Sequence, residues 1–205
     1  MAVLRFPSDR AVGTLDWNGS WSAETGPVFA RGDVEVPDGA EIRLEVREVL
    51  SSERSGSGWT MTNSPEPADL GFLAELPPDV LHAVTIGTAD ERSFAALTQL
   101  APGLRQLYLA FSGLTDAVLP TVAALTGLTW LQTFGNRFSD AGVQQLATLT
   151  ELRELFLEES TLSAAAFAFV DRLPHLQQLG VQDADLDDAE LDALRARLPG
   201  VRVDR

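Results

Sequence analysis

The sequence predicts an α/β solenoid, with a parallel sheet on its concave side, helices on its convex side and a small antiparallel β module before it. Three observations support this prediction. From residue 81 onward a unit of about 24 residues recurs along the chain. Within each unit the apolar spacing changes from that of a strand to that of a helix. The first 62 residues lack this period and show strand-like alternation instead.

The repeat is visible when the units are aligned on their first leucine or its equivalent. In the second repeat Leu104, Leu107 and Leu109 occupy offsets 0, 3 and 5, and the other repeats follow the same pattern. Residues 68–80 resemble the helical half of an incomplete unit. The five full units span residues 81–103, 104–127, 128–151, 152–175 and 176–200.

Each unit contains a strand, a turn and a helix. Offsets 3 and 5 are two residues apart and so share one face of a strand. Apolar residues recur later at offsets 15, 18 and 21, such as Val143, Leu146 and Leu149, which indicates a helical stripe. Ser139 before this stripe supplies a capping oxygen. Thr133 occupies a slot that holds leucine in the units on either side, which predicts a tolerated gap in the core.

The pattern L-x-x-L-x-L, followed by a polar slot and another apolar residue, resembles the leucine-rich repeat. The segments "LTDAVL" and "FSDAGV" are similar to the helix-bearing repeats common in bacterial members. The resemblance covers about residues 68–205 and implies a surface that binds another protein. In the family the polar slot holds asparagine, and here Asn136 alone can make the side-chain bonds of an asparagine ladder. The five slots hold Ala89, Ser112, Asn136, Ser160 and Ala184.

Residues 1–62 are expected to form the antiparallel β module, which caps a repeat domain of residues 63–205. Residues 32–46 alternate around Pro37-Asp38-Gly39, which predicts a hairpin. "MAVLRF" and the segment around Trp59 are further strand candidates. Residues 51–58, "SSERSGSG", have the composition of a flexible loop.

The candidate site lies on the outward side of the repeat strands. Residues at equal offsets in neighbouring parallel strands form rows, and the middle units carry aromatic residues in these rows. A clustered apolar patch with a polar border on an open sheet face is typical of a binding surface. The predicted aromatic residues are Tyr108, Trp130, Phe134 and Phe156. The predicted polar border is Gln106, Gln132, Glu154 and Glu158.

We therefore expect a non-enzymatic module that binds a protein or peptide partner with apolar anchors and a basic border. Three alternatives remain open for the aromatic residues: burial under the β module, burial in a weak homodimer of an otherwise monomeric protein, or incidental exposure. A different class of function is glycan binding through Trp17, Trp21 and Trp59, whose rings either stack on sugars or form the core of the module. Self-assembly through the repeat surface or the terminal strand is another alternative.

Composition argues against several other classes of function. The net charge of -15 leaves no positive stripe to neutralise phosphates, so neither a nucleic acid nor a membrane is an expected partner. The sequence contains no cysteine and begins without an apolar run of signal-peptide length, which favours a cytoplasmic location. His82 and His175 lie in distant units and are not spaced with a nucleophile, so no enzyme activity is expected. The acidic run 183–190 fits helix capping better than calcium binding, and no metal or cofactor is expected.

Overall fold

A computed structural model describes residues 1–17, 20, 26–55, 58–110, 113–159 and 162–205. The chain forms two compact units, Met1–Leu104 and Arg105–Arg205. Both combine strands with short helical segments, so the chain is of mixed α/β class, with parallel strand pairing in each unit.

The first unit is largely β structure. β1 pairs antiparallel with β4, β2 pairs antiparallel with β3 and β5, and β5 pairs antiparallel with β6 and parallel with β7. The apolar residues that alternate along β5, namely Ile42, Leu44 and Val46, are at most 2% exposed. The strands described in this unit are β1 Ala2–Arg5, β2 Ala11–Asp16, β3 Val28–Phe29, β4 Asp33–Val36, β5 Ile42–Ser55, β6 Gly58–Asn63 and β7 Leu81–Ile86.

The hairpin predicted around Pro37-Asp38-Gly39 is wrong. The turn itself forms, with Gly39 at φ 73° and the Ala40 N–H donating to the Pro37 carbonyl at 3.3 Å. However, β4 pairs with β1, whereas β5 pairs with β2 and β7. Alternation marks a strand with one buried face but does not choose its partner, and β5 uses both of its edges for other strands.

The predicted flexible loop at residues 51–58 is also wrong in most of its length. Ser51 to Ser55 continue β5, and Gly58 begins β6 opposite Ser55. The segment "MAVLRF" and the segment around Trp59 do contain strands, as predicted. A polar composition is compatible with either a loop or a strand, and here the pairing with β6 decides in favour of the strand.

Two helical segments lie among the described residues of the first unit, and both have 3-10 geometry. The segment Gly71–Glu75 lies in the predicted incomplete repeat and buries Phe72 and Leu73. The segment Glu91–Leu100 begins after Asp90, whose carboxylate accepts a hydrogen bond from the Arg92 N–H at 3.0 Å. The second segment buries Phe94, Leu97 and Leu100, which have the predicted spacing of three but begin two residues earlier in the repeat than the predicted stripe.

The second unit contains a parallel sheet in the order β8-β9-β10-β11-β12. Residues at the same repeat offset are paired across it, as predicted. Its inward leucines form the core, with Leu107, Leu131 and Leu155 all 0% exposed. The described strands are β8 Gln106–Ala110, β9 Trp130–Phe134, β10 Glu154–Glu158, β11 Gln178–Gly180 and β12 Arg202–Asp204.

The helical segments of the second unit are mostly shorter or tighter than the α-helices that the pattern predicted. Only the last of the described α-helices has ten residues. A 3-10 helix has three residues per turn, which matches the apolar spacing of three. The α-helices are α1 Leu119–Ala123, α2 Asp140–Val143 and α3 Asp188–Arg197, and the 3-10 segments are Asp116–Val118, Gln144–Thr148 and Ala164–Arg172.

Aspartate and serine residues connect successive helix starts in this unit. The Asp116 carboxylate accepts hydrogen bonds from the N–H and the hydroxyl of Ser139 at 2.9 and 2.5 Å. Asp140 accepts the same two bonds from Ser163 at 2.9 and 2.5 Å. A Cβ on Gly142 would lie 2.2 Å from Asp116 Oδ1, so this glycine admits the carboxylate. These bonds hold neighbouring repeats in register on the helical side.

Candidate functional site

The strands β8, β9 and β10 present one face to the core and another, the outward face, away from it. Residues on the outward face are half-buried, whereas the residues between them are buried. All eight predicted site residues lie on this outward face. It carries Gln106, Tyr108 and Ala110 from β8, Trp130, Gln132 and Phe134 from β9, and Glu154, Phe156 and Glu158 from β10.

Four of these residues, Tyr108, Trp130, Phe134 and Phe156, form the aromatic patch. In the strand register Tyr108 and Phe156 lie on either side of Gln132, and Trp130 and Phe134 lie two residues before and after it. The ring centroids of Tyr108 and Trp130 are 6.2 Å apart, and those of Trp130 and Phe156 are 6.0 Å apart. Both distances, with interplanar angles of 52° and 49°, are within the range of favourable aromatic pairs.

Phe156 also extends over the neighbouring strand. A Cβ on Gly180 of β11 would lie 2.4 Å from Phe156 Cδ1. The ring can therefore occupy this position only because residue 180 has no side chain. Gly180 is itself buried, although its register partner Phe156 belongs to the half-buried face. The repeat pattern alone does not reveal this role of Gly180.

The polar border differs from the prediction in one respect. Gln132 lies in the middle of the aromatic patch by register, and its amide donates a hydrogen bond to the Glu158 carboxylate at 2.8 Å. Gln106 and Glu154 lie on either side of Trp130. The patch is thus polar at its centre as well as at its edges, and two of its border positions carry carboxylates.

A buried carboxylate that was not predicted from the sequence lies just after the last of these three strands. Glu159 follows β10 and is 1% exposed. Its two oxygens accept hydrogen bonds from the backbone N–H and the side-chain amide of Asn136 at 2.6 and 2.9 Å. Burial raises the pKa of Glu159 above its ordinary value, whereas the bonds from Asn136 act in the opposite direction.

Asn136 ties the ends of the strands together, as the asparagine ladder of the resembled family implies. Its amide also donates to the carbonyls of Leu109 and Phe134 at 3.1 and 3.3 Å, and its oxygen accepts from the Leu114 N–H at 3.3 Å. Of the other slots, Ser112 and Ser160 lie outside the described residues. Phe134 and its aromatic neighbours are therefore mounted on strands whose ends converge on one buried amide.

Thr133, predicted to mark a gap in the core, belongs to the same buried polar cluster. It is 1% exposed. Its hydroxyl acts to lower the pKa of Glu159 against the larger effect of burial. Among the described residues this hydroxyl makes no hydrogen bond of regular geometry. The three residues Thr133, Asn136 and Glu159 are named the buried polar cluster. A threonine in a leucine slot was the signal in the sequence that could have revealed it.

The acidic run caps a helix, as predicted. Asp187 accepts a hydrogen bond from the Glu190 N–H at 2.8 Å, and the Glu190 carboxylate accepts one from the Asp187 N–H at 2.9 Å, which forms a capping box. Arg195 and Arg197 lie in the last turn of α3. The arrangement matches the helix dipole, with acidic residues at the start and basic residues at the end.

The glycan hypothesis concerned three tryptophans, and the argument against an enzyme concerned two histidines. Trp17 is half-buried after β2 in the first unit. Trp21 and the side chain of Trp59 lie outside the described residues, so the glycan hypothesis is not tested. His82 lies in β7 of the first unit, and His175 is exposed in the second.

Among the described residues, no group of three or more histidine, cysteine, aspartate or glutamate side chains is arranged to hold a metal ion. No helix of the same residues is long and apolar enough to cross a membrane.

Comparison with known proteins finds likeness among solved structures. No protein-family model matches the chain, and no curated protein matches it. Among solved structures the chain resembles that of a leucine-rich repeat protein of Leptospira interrogans, with 23% identity and a TM-score of 0.43. The match covers 66% of this chain and 33% of the other, so the chain spans about a third of that protein's length.

Proposed function

We propose that the protein is a non-enzymatic module that binds a protein or peptide on the outward face of β8, β9 and β10. One observation supports this most: the Trp130 ring contacts those of Tyr108 and Phe156 on a half-buried sheet face, with carboxylates at the border. Clustered aromatic residues within a polar border are typical of interface anchors.

The geometry also favours binding because the rings are already held in place. Trp130 is paired with a ring on each side, and Phe156 is seated over Gly180. A surface that is ordered before association loses less side-chain entropy when it binds. The patch therefore provides apolar contact area at a low conformational cost.

Charge points to the class of partner. The nine outward residues of β8, β9 and β10 include Glu154 and Glu158 and no basic residue, and the whole chain has a net charge of -15. A partner with a basic border around apolar anchors is complementary to this face. Such complementarity accelerates association at low ionic strength and suppresses the binding of acidic proteins.

The double substitution Trp130→Ala with Phe156→Ala tests this proposal. We expect capture of the partner from an extract of the native host to be abolished, with the thermal midpoint within a few degrees of wild type, because the rings lie outside the leucine core. Phe29→Ala, which removes a half-buried ring from β3, is the control and should leave capture unchanged. Loss of folding in the double variant would show that the rings are core residues. A change in molecular mass by light scattering would show that a second copy covers them.

A further inference from the structure

One row of the outward face combines an aromatic ring with a polar group on each side. Gln106, Trp130 and Glu154 are paired in register across β8, β9 and β10. Neighbouring strands are about 4.8 Å apart, so Gln106 and Glu154 lie one strand spacing to either side of Trp130. The row therefore combines an aromatic residue with a neighbour that carries an amide and a neighbour that carries a carboxylate.

Glu154 differs from the other acids on the outward side of this sheet. Glu158 accepts a hydrogen bond from Gln132 at 2.8 Å, and Asp204 accepts bonds from Gln178 at 2.7 Å and Arg202 at 2.8 Å. Within the described part of the chain, the Glu154 carboxylate has no hydrogen-bond or ion-pair partner. Its charge is thus available to a cation supplied from outside.

We propose, on the basis of the function above, that this row binds an arginine side chain of the partner protein or peptide. The guanidinium lies against the indole of Trp130 and donates hydrogen bonds to the carboxylate of Glu154 and the amide oxygen of Gln106. Tyr108 of β8 and Phe156 of β10 contact Trp130 from either side. These two rings contact an apolar residue of the partner that lies close to that arginine.

The chemistry of the row selects arginine over lysine. A guanidinium is planar and weakly hydrated, and its N–H groups point outward in its plane, so it can stack on an aromatic ring and donate to both sides at once. An ammonium is a compact, strongly hydrated charge that cannot make the same flat contact. An acidic or phosphorylated side chain would be repelled by Glu154 and Glu158.

Selection of random peptides from a display library on the immobilised full-length chain tests the inference, with the Trp130→Ala, Phe156→Ala variant as the counter-target. We expect the peptides retained by wild type and rejected by the variant to share an arginine next to an apolar residue. Retained peptides without a conserved basic residue would overturn the arginine assignment and leave the binding face intact. If wild type retains no more peptides than the variant, both proposals are wrong.

A retained peptide, synthesised with arginine, lysine or citrulline at the shared position, then measures the contact by calorimetry. Citrulline keeps the shape of arginine without its charge, and we expect it to bind about tenfold more weakly, or about 1.4 kcal/mol, with lysine intermediate. Glu154→Gln should weaken the arginine peptide by about tenfold and leave the citrulline peptide unchanged. The control Glu66→Gln removes an exposed carboxylate of the first unit and should change affinity by less than about twofold. Equal effects of the two substitutions would overturn the inference.

Discussion

The strands β8, β9 and β10 depart from the leucine pattern on both of their faces, in opposite ways. On the outward face the departures are aromatic, and the Trp130 ring contacts those of Tyr108 and Phe156. On the inward face Thr133 replaces a leucine of β9, and Asn136 and Glu159, which follow β9 and β10, are joined by two hydrogen bonds inside the core. Both groups lie on the same scaffold but fulfil different physical requirements.

The difference teaches which substitutions should separate binding from folding. A half-buried ring pair contributes about 0.5–1.5 kcal/mol beyond its buried area, and its loss leaves no polar group without a partner. A buried carboxylate that loses its donors becomes an uncompensated charge, which is far more costly. Changes in the aromatic patch should therefore act on binding, and changes in the buried polar cluster on stability.

Asn136→Ala should have the largest effect. It removes the amide that donates to the Glu159 carboxylate and to the carbonyls of Leu109 and Phe134. We expect the free energy of unfolding to fall by about 3–5 kcal/mol, because a buried charge loses a partner and two strand ends lose their shared donor. Urea denaturation measures this change.

Gln182→Ala, which removes an exposed amide from the same unit, is the control and should alter the free energy of unfolding by less than about 0.5 kcal/mol. If Asn136→Ala cost no more than this control, the buried polar cluster would contribute nothing to the fold. The contrast between the two faces would then disappear.

Gly180→Val should have an intermediate effect that reaches both faces. The new side chain would meet the Phe156 ring, because its Cβ would lie 2.4 Å from Cδ1. We expect a loss of about 1–3 kcal/mol of stability from the displaced ring, together with weaker partner binding. Thermal unfolding and the peptide calorimetry described above measure the two effects.

The control for this substitution is Gly87→Ala in the first unit, where a Cβ would have no atom within 4 Å. It should change neither stability nor binding appreciably. If Gly180→Val binds more weakly at unchanged stability, the position of the Phe156 ring over Gly180 affects binding alone. Unchanged binding would show that Phe156 does not belong to the binding face.

The repeat pattern predicted the second unit well because its information is local and repeated. Each unit independently places leucine on the inward face and a polar or aromatic residue on the outward face, so equal offsets pair even without a known partner strand. The strands Gln106–Ala110, Trp130–Phe134 and Glu154–Glu158 each cover offsets 2 to 6 of their repeat. The spacing of three did not distinguish 3-10 from α-helical geometry, since Leu191 and Leu194 in α3 have the same spacing.

The buried polar cluster could not be predicted in the same way. Thr133 and Glu159 are far apart in sequence, and each departs from the pattern at only one position. A single polar residue in a leucine slot is indistinguishable from a gap until its partner is located. The register of β9 against β10, together with the loop that follows each strand, brings the partners together.

The first unit shows the limit of alternation without repetition. Val34 and Ile42 both belong to alternating segments on either side of a good turn, and the pattern therefore favoured a hairpin. The actual pairing of β4 with β1 depends on a strand some 30 residues away in sequence. Without a repeated unit, nothing in the local pattern separates the near partner from the distant one.

The smallest effect should be a pH dependence carried by Glu159 alone. Burial raises the pKa of this carboxyl in the folded state, so the folded protein keeps the proton to a higher pH than the unfolded chain does. The contribution of Glu159 to stability should therefore decrease as pH rises from the usual glutamate range of about 4 through the raised pKa. Glu159→Gln lacks the titration, so the unfolding free energy of wild type minus that of the variant should decrease over the same interval.

Urea denaturation at a series of pH values measures that difference, and the same series on Glu151→Gln calibrates the effect of removing an exposed charge. The absolute stability at neutral pH is a poor test, because glutamine offers Asn136 one acceptor where the carboxylate offers two. The slope with pH is independent of that loss. A difference that increases with pH would mean that the two bonds from Asn136 outweigh burial. The pKa of Glu159 would then be lowered in the folded state, because the buried polar cluster would stabilise the charged carboxylate.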